Sequence, residues 1–216
     1  MNGRSFNIDM KKTSQDPEKP VTGRQKTTAE RRQKILEAAI TCFLENGYHQ
    51  TGVRDIAKRA GVSLGNLYNH FPGKHDVLVE IAALERAELA PILKILRGPA
   101  TAPDVLDKFL NAYTKYLSSL ETVILTIEIS SEAIRKPDIG ELFLDNRNDL
   151  SETLASVIER GMDDGDFRQN LDTTEVAHLI LELLEGCAYR SVLSEIPMRK
   201  ILGNVKDFVF AAVISP

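Results

Sequence analysis

The sequence predicts an all-α protein, with an N-terminal three-helix helix-turn-helix domain joined to a larger helical domain. Three observations lead to this prediction. Apolar residues recur at helical spacing along most of the 216 residues, and no segment requires a strand. Between residues 51 and 78, small and apolar residues stand where two short crossing helices need them. The length suits a small domain joined to a larger one.

Composition and charge limit the classes of protein that fit. Hydrophobic residues make up 43% of the chain and charged residues 27%, as in an ordinary globular protein, and no apolar run is long enough to cross a membrane. Because the first residues lack an apolar core of signal-peptide length, we expect a cytoplasmic protein. Cys42 and Cys187 lie far apart in helical patterns and are expected to be reduced thiols.

The distribution of charge separates the two parts of the chain. Residues 1–80 contain 13 Lys and Arg against 9 Asp and Glu, whereas residues 81–216 contain 14 against 22. The net charge of −4 therefore conceals a positive N-terminal part. Such a part can contact DNA phosphates while the acidic remainder stays away from the duplex.

The first helix is predicted from Thr27 onward. Residues 1–26 are polar with few apolar side chains, so we expect a disordered tail there. Thr27 and Glu30 have the spacing of a capping box, and Gly47 supplies the stop at the other end. This helix opens a predicted DNA-binding domain at residues 27–73.

Two short helices are predicted to follow. Thr51 can cap a helix that runs to Ala60, and Gly61 permits the positive φ of a tight turn. Ser63 can then cap a second helix at about 64–70. Two helices joined in this way form a helix-turn-helix, whose second helix is able to enter a major groove.

The outward face of this second helix carries candidate base-reading residues. They are Leu64, Asn66 and Asn69. An asparagine can bind adenine through two hydrogen bonds, and a leucine can contact the methyl group of thymine.

Groups suited to phosphate surround the same helix. They are Ser63, Tyr68, His70 and Lys74, the last at the start of the next helix, where backbone amides also point outward. Taken alone, each of these residue types is at least as often an ordinary surface side chain as a DNA contact. The set at this spacing favours a role in positioning DNA.

Residues 51–78 resemble the DNA-binding signature of the TetR family of transcriptional regulators. The matching residues are Asp55-Ile56-Ala57, Ala60-Gly61-Val62-Ser63, Gly65, Leu67-Tyr68, His70-Phe71, Lys74 and Leu78. The resemblance implies a three-helix DNA-binding head, a linking fourth helix, and a helical domain that dimerises and binds an effector, with repression as the commoner outcome. It also implies that the four candidate phosphate groups lie at or near the DNA backbone and that the three candidate base readers vary between members.

One position departs from the family pattern. Gly52 stands where the family usually carries a small hydroxyl that contacts phosphate. We expect the hydroxyl of Thr51 to take over that contact.

The larger domain is predicted at residues 74–216. A long helix from about Lys74 to Leu96 is followed by five more, at roughly 103–119, 121–135, 138–164, 173–194 and 197–213. The helix at 173–194 is apolar over most of its surface, which suggests burial on two sides, and the last helix has a clean apolar stripe. Together they predict a homodimer through a four-helix interface. A dimer would place two recognition helices about 34 to 36 Å apart on a roughly palindromic operator.

Several residues of this domain are candidates for a small-molecule effector pocket. They are Tyr113, Tyr116, Glu128, Phe143 and Tyr189. Aromatic residues at helical spacing are also typical of an ordinary core, and Glu128 equally fits a solvated polar strip. Control by a protein partner instead of a small molecule remains the alternative.

Enzyme, cofactor and metal sites find little support. The sequence contains neither HExxH nor a Gly-x-Gly-x-x-Gly that follows a strand. Gly73-Lys74 is similar to part of a phosphate loop, but His75 replaces the Ser or Thr required there. The stripe from His178 to Glu185 could hold a divalent metal, although no second ligand cluster accompanies it. We expect a DNA-binding regulator that is not an enzyme and uses no cofactor.

Overall fold

The computed structural model describes residues 23–214, without the side chains of residues 23–26 and of Leu142. Helices dominate, and over the described range the only β-type pairing is an isolated bridge between Phe167 and Ile214. The all-α prediction is confirmed. The helices are α1 (Gly23–Asn46), α2 (Val53–Ala60), α3 (Leu64–His70), α4 (Lys74–Leu96), α5 (Ala102–Tyr116), α6 (Leu120–Arg135), α7 (Pro137–Asp163), α8 (Thr173–Ser194) and α9 (Met198–Val213).

Helix α1 begins earlier than the sequence predicts. Gly23 already belongs to it, so Thr27 and Glu30 lie inside the helix and their capping-box spacing does not mark its start. The predicted tail at residues 1–26 therefore loses its last four residues to α1, and residues 1–22 lie outside the described part of the chain. At the other end, Gly47 has φ +78° and ends the helix as predicted.

Helix α7 continues through Gly161. The ring of Phe167 packs directly on Gly161, where an added Cβ would lie 2.2 Å from Cδ2 of that ring. Phe167 is itself only 1% exposed. Gly161 is therefore required for close packing, whereas Gly165, with φ +77°, makes the turn that follows the helix.

The chain forms two compact units. Of the described residues, 23–84 and 124–142 form the N-terminal unit, and 85–123 and 143–214 form the C-terminal unit. The predicted domain boundary followed residue 73, but residues 74–84 and 124–142 pack with the helix-turn-helix. Helices α4, α6 and α7 each contribute residues to both units.

Each unit has its own apolar core. Fully buried residues in the N-terminal unit come from all of its first four helices and from the loop between α3 and α4, and include Ile35, Ala39, Phe43, Ile56, Leu67, Phe71 and Leu78. In the C-terminal unit they come mainly from α5, α7, α8 and α9 and include Leu106, Phe109, Leu154, Ile158, Leu181, Leu184 and Val213. None of the described helices has the length and apolar character of a membrane-spanning segment.

Candidate DNA-binding site

The turn between α2 and α3 is built by short-range contacts. Gly61 adopts φ +65° and ψ +34°, and its N–H donates to the carbonyl of Lys58 at 3.2 Å. The hydroxyl of Ser63 accepts a hydrogen bond from the N–H of Asn66 at 3.2 Å and thereby caps α3. Leu67 is the buried side chain of α3, at 1% exposure. The predicted turn and cap are confirmed.

Thr51 does not cap α2. Its side chain is 2% exposed, and its hydroxyl donates to the carbonyls of Gly47 at 2.8 Å and Cys42 at 3.1 Å. A threonine hydroxyl can bond backbone carbonyls earlier in the chain, and here it turns towards the end of α1. The N-cap is Gly52, whose N–H donates to Oδ2 of Asp55 at 2.8 Å. The prediction that Thr51 caps α2 is wrong, and its inward hydroxyl is not placed to meet phosphate.

The exposed face of α3 carries most of the predicted contact residues. Tyr68 is 45% exposed and Asn69 is also exposed, while Leu64 and His70 are partly exposed. Asn66 is less available, because its Oδ1 atom is buried and has no hydrogen-bond partner. The structure thus presents Asn69 directly, whereas the amide of Asn66 must rotate before it can reach a base edge.

Lys74 already has partners within the protein. Its Nζ donates to the carbonyl of Tyr48 at 2.8 Å and lies 4.3 Å from the centroid of that ring. Burial lowers the pKa of Lys74, nearby Lys136 lowers it further, and Glu132 opposes both. An ammonium carries three hydrogens, so this bond leaves others for phosphate. Lys74 therefore links the α1–α2 turn to the start of α4.

Helix α6 contacts the same turn through two carboxylates. Glu128, a predicted pocket residue, accepts the N–H of Tyr48 through Oε2 at 3.0 Å. Glu132 is 2% exposed, and its Oε1 lies 2.5 Å from Nε2 of His49 and 3.6 Å from Nη1 of Arg135, without hydrogen-bond geometry to either. Sequence reasoning missed these contacts because they join residues about 80 positions apart. Glu128 therefore lies against the α1–α2 turn.

The remaining predicted pocket residues belong to the C-terminal unit. Tyr113 and Tyr116 stack with ring centroids 5.8 Å apart. The hydroxyl of Tyr113 donates to Oε1 of Glu185 at 3.0 Å, and Arg147 donates to the same oxygen. Burial, with the nearby Glu185 as second cause, raises the pKa of Tyr113 well above its usual range. Tyr113 and Tyr116 thus form one side of an interior polar network.

The other two pocket residues are not joined to this network by the contacts described. Phe143 is partly buried, and Tyr189 is 49% exposed. A groove of about 540 Å³ lies instead in the N-terminal unit and is lined by Cys42, Asn46, Gln50, Thr51, Asp55, Lys58 and Arg59. None of the predicted pocket residues lines that groove.

The region that the structure describes contains no group of three or more His, Cys, Asp or Glu side chains suited to a metal ion. The stripe that begins at His178 therefore offers at most isolated pairs.

Comparisons with known proteins agree with this geometry. A model described as bacterial regulatory proteins of the tetR family matches residues 35–81, and one described as the C-terminal part of BetI-type transcriptional repressors matches residues 104–209. The transcriptional repressor KstR2 of Mycolicibacterium smegmatis is 30% identical over 155 residues, which are 70% of this chain and 75% of that protein. The repressor AcnR of Corynebacterium efficiens is 28% identical over 192 residues, which are 86% and 93% of the two chains.

A solved structure shares the fold. It is a putative transcriptional regulator from Saccharomonospora viridis in complex with choline, which superposes with a TM-score of 0.75 at 23% identity and covers 87% of this chain and 100% of that one. The two family models together extend over both units. The chain belongs to the TetR family of bacterial transcriptional regulators.

Proposed function

We propose that this protein is a cytoplasmic repressor that binds operator DNA through α3 and leaves it when a small molecule binds the C-terminal unit. The observation that carries the DNA-binding part is the capped α2–α3 pair, which buries Leu67 and leaves Tyr68 and Asn69 exposed. A helix presented in this way fits a major groove. The protein acts by binding and not by catalysis.

The contact residues divide into two roles. Ser63, Tyr68, His70 and Lys74 surround α3 and its junction with α4, where hydroxyl, imidazole and ammonium groups can bind phosphate oxygens. Asn69 and Leu64 contact the base edges. Asn66 contributes a contact once its amide has turned outward. Phosphate contacts fix register and orientation, and base contacts supply sequence preference.

The protein is proposed to bind its operator as a homodimer that forms through α8 and α9. Large apolar side chains are exposed on or beside these helices, at 67% for both Leu193 and Phe208 and at 53% for Leu179. Exposed apolar groups of this size are typical of a surface that another protein chain covers. A second copy is the occupant that a palindromic operator requires.

The effector is proposed to reach the interior polar network of the C-terminal unit. Tyr113 and Tyr116 offer aromatic faces there, and Glu185 and Arg147 offer opposite charges. The Saccharomonospora viridis relative holds choline, and a FadR from Bacillus subtilis holds stearoyl-CoA. These relatives favour a small molecule over a protein partner as the signal.

The DNA-binding roles can be tested without knowing the operator. The wild-type protein first selects duplexes from a random-sequence library, and binding to a selected and a scrambled duplex is then titrated with salt. We expect Tyr68→Phe to weaken binding to both duplexes alike, without changing the salt slope, because the lost hydroxyl is neutral. Asn69→Ala should change which duplexes are selected.

The matched control is Asn148→Ala, which makes the same truncation at an exposed position of α7. It should leave affinity and sequence preference unchanged. Selection of no sequence by the wild-type protein would contradict the proposed function. An unchanged preference in the Asn69 variant would remove that residue from the readers.

A further inference from the structure

The C-terminal end of α3 is bound by an arginine from α1. Nη1 of Arg32 donates to the carbonyl of His70 at 2.7 Å, and Nη2 donates to Oε2 of Glu80 on α4 at 2.6 Å. The guanidinium also lies over the ring of Phe71, with Cζ 4.3 Å from its centroid. One side chain thus joins α1, α3 and α4.

Helix α3 contains seven residues and is held by two buried side chains, Leu67 within it and Phe71 directly after it. The cap from Ser63 bonds within the first turn and does not tie α3 to another helix. The contact from Arg32 to His70 restrains the opposite end.

The ion pair itself contributes little to stability. The side chains of Arg32 and Glu80 are 41% and 34% exposed, and pairs of that exposure are screened by solvent and salt. The guanidinium is planar and holds its hydrogen-bond donors in a fixed fork, so it can fix the angle between two acceptors as an ammonium cannot. The chief consequence of this contact is therefore geometrical.

We propose that Arg32 is a positioning residue for DNA recognition, which fixes the end of α3 against α1 and α4 and so sets the direction in which Tyr68 and Asn69 face the DNA. The inference rests on the proposed function. It assigns to Arg32 no contact with DNA. Substitution of Arg32 should therefore reduce discrimination between DNA sequences while general affinity for DNA is retained.

The test compares three variants on the selected and the scrambled duplex. Arg32→Lys keeps the charge but loses the planar fork that fixes the angle between the two acceptors, and we expect its ratio of specific to non-specific affinity to fall about tenfold. Arg32→Ala should lower the ratio further. Arg31→Ala removes the same charge from the exposed neighbouring position and serves as the control. Melting temperatures are measured for all proteins, so that specificity is compared among folded samples.

The outcomes separate this proposal from the proposed function. A wild-type protein without sequence preference would contradict the proposed function itself. A normal preference in the wild type with an unchanged ratio in Arg32→Lys would overturn the positioning role alone. If Arg32→Ala and Arg31→Ala lower the affinity for both duplexes equally, only the charge of these residues matters. That result also overturns the positioning role. If Arg32→Ala fails to fold, Arg32→Lys still decides the question.

Discussion

The two units expose surfaces of different chemistry. In the N-terminal unit, α3 presents a phenol and an amide, those of Tyr68 and Asn69. In the C-terminal unit, α8 and α9 present large apolar groups, and Leu193 and Phe208 are each two-thirds exposed. Phosphate oxygens and base edges bind through hydrogen bonds, whereas the centre of a protein interface is depleted of charge and enriched in aromatic residues. The first surface fits DNA and the second fits another protein chain.

The interior around the α2–α3 turn also differs from the interior of the C-terminal unit. Around the α2–α3 turn, the buried residues are apolar or small, as at Ile56, Ala57 and Leu67. The C-terminal unit instead holds a partly buried network in which Tyr113, Arg147 and Glu185 share hydrogen bonds. The function of the first region therefore lies on its surface. In the second region, the polar groups that we propose for the effector are partly buried.

The largest expected effect concerns the apolar surface of the C-terminal unit. Phe208→Glu places a carboxylate where the proposed dimer buries an aromatic ring, and loss of such an anchor typically costs about 2 kcal/mol or more. We expect light scattering to show a monomer at micromolar concentration, and affinity for a palindromic duplex to fall towards that of a single half-site. Ser156→Glu, at an exposed position of α7, is the control. If the Phe208→Glu protein stays dimeric, Phe208 is not part of the dimer interface. The proposed contrast between a DNA-binding surface and a dimer surface would then be lost.

Local contacts made the helix-turn-helix predictable from sequence. Helix α2 ends and helix α3 begins where the sequence predicts, because Gly61 and Ser63 act on residues within one turn of themselves. The choice between Thr51 and Gly52 as the cap was misjudged for the opposite reason. The hydroxyl of Thr51 turns to the carbonyls of Cys42 in α1 and of Gly47 just after it, nine and four residues earlier in the chain, and no local pattern signals that choice.

Contacts between distant segments could not be predicted. Arg32 reaches His70 and Glu80 across 38 and 48 residues, and Glu128 reaches Tyr48 across 80. Helical periodicity shows which face of a helix is polar, but it does not show which polar face meets which. For the same reason, the sequence placed Glu128 in a pocket, whereas the structure places it against the α1–α2 turn.

The interior network of the C-terminal unit provides the next test. Glu185→Ala leaves the guanidinium of Arg147 and the hydroxyl of Tyr113 without their shared acceptor, and we expect the free energy of unfolding to fall by about 1 to 3 kcal/mol. Tyr113→Phe removes one hydrogen bond and should cost about 1 kcal/mol. Urea denaturation measures both changes.

The control for this test is a glutamate beside the network. Glu182 lies 3.9 Å from Arg147 but is 61% exposed. Glu182→Ala should therefore change stability by no more than about 0.5 kcal/mol. Equal effects at the two glutamates would show that the network behaves like an ordinary surface, and the contrast between the two interiors would disappear.

The smallest effect concerns a carboxyl group at the edge of the same unit. Oε2 of Glu85 accepts the side-chain N–H of Asn146 at 2.8 Å, and burial raises the pKa of Glu85 more than that bond lowers it. An acid whose pKa is raised on folding stabilises the protein fully at pH values below its unfolded pKa. That stability is lost as the pH rises through the folded pKa. Ionisation of Glu85 should therefore lower the free energy of unfolding of the wild type as the pH rises above about 4.5.

Glu85→Gln should remove that decline, because the amide oxygen can still accept the bond from Asn146 but does not ionise. Urea unfolding at a series of pH values from 5 to 8 measures the free energy of unfolding of the wild type and the variant. We expect the variant to become more stable than the wild type as the pH rises. The difference should remain smaller than the change for Glu185→Ala. Glu159→Gln, at an exposed position of α7, controls for the loss of one negative charge. Parallel curves for the wild type and Glu85→Gln would show that the interior of the C-terminal unit does not oppose ionisation there.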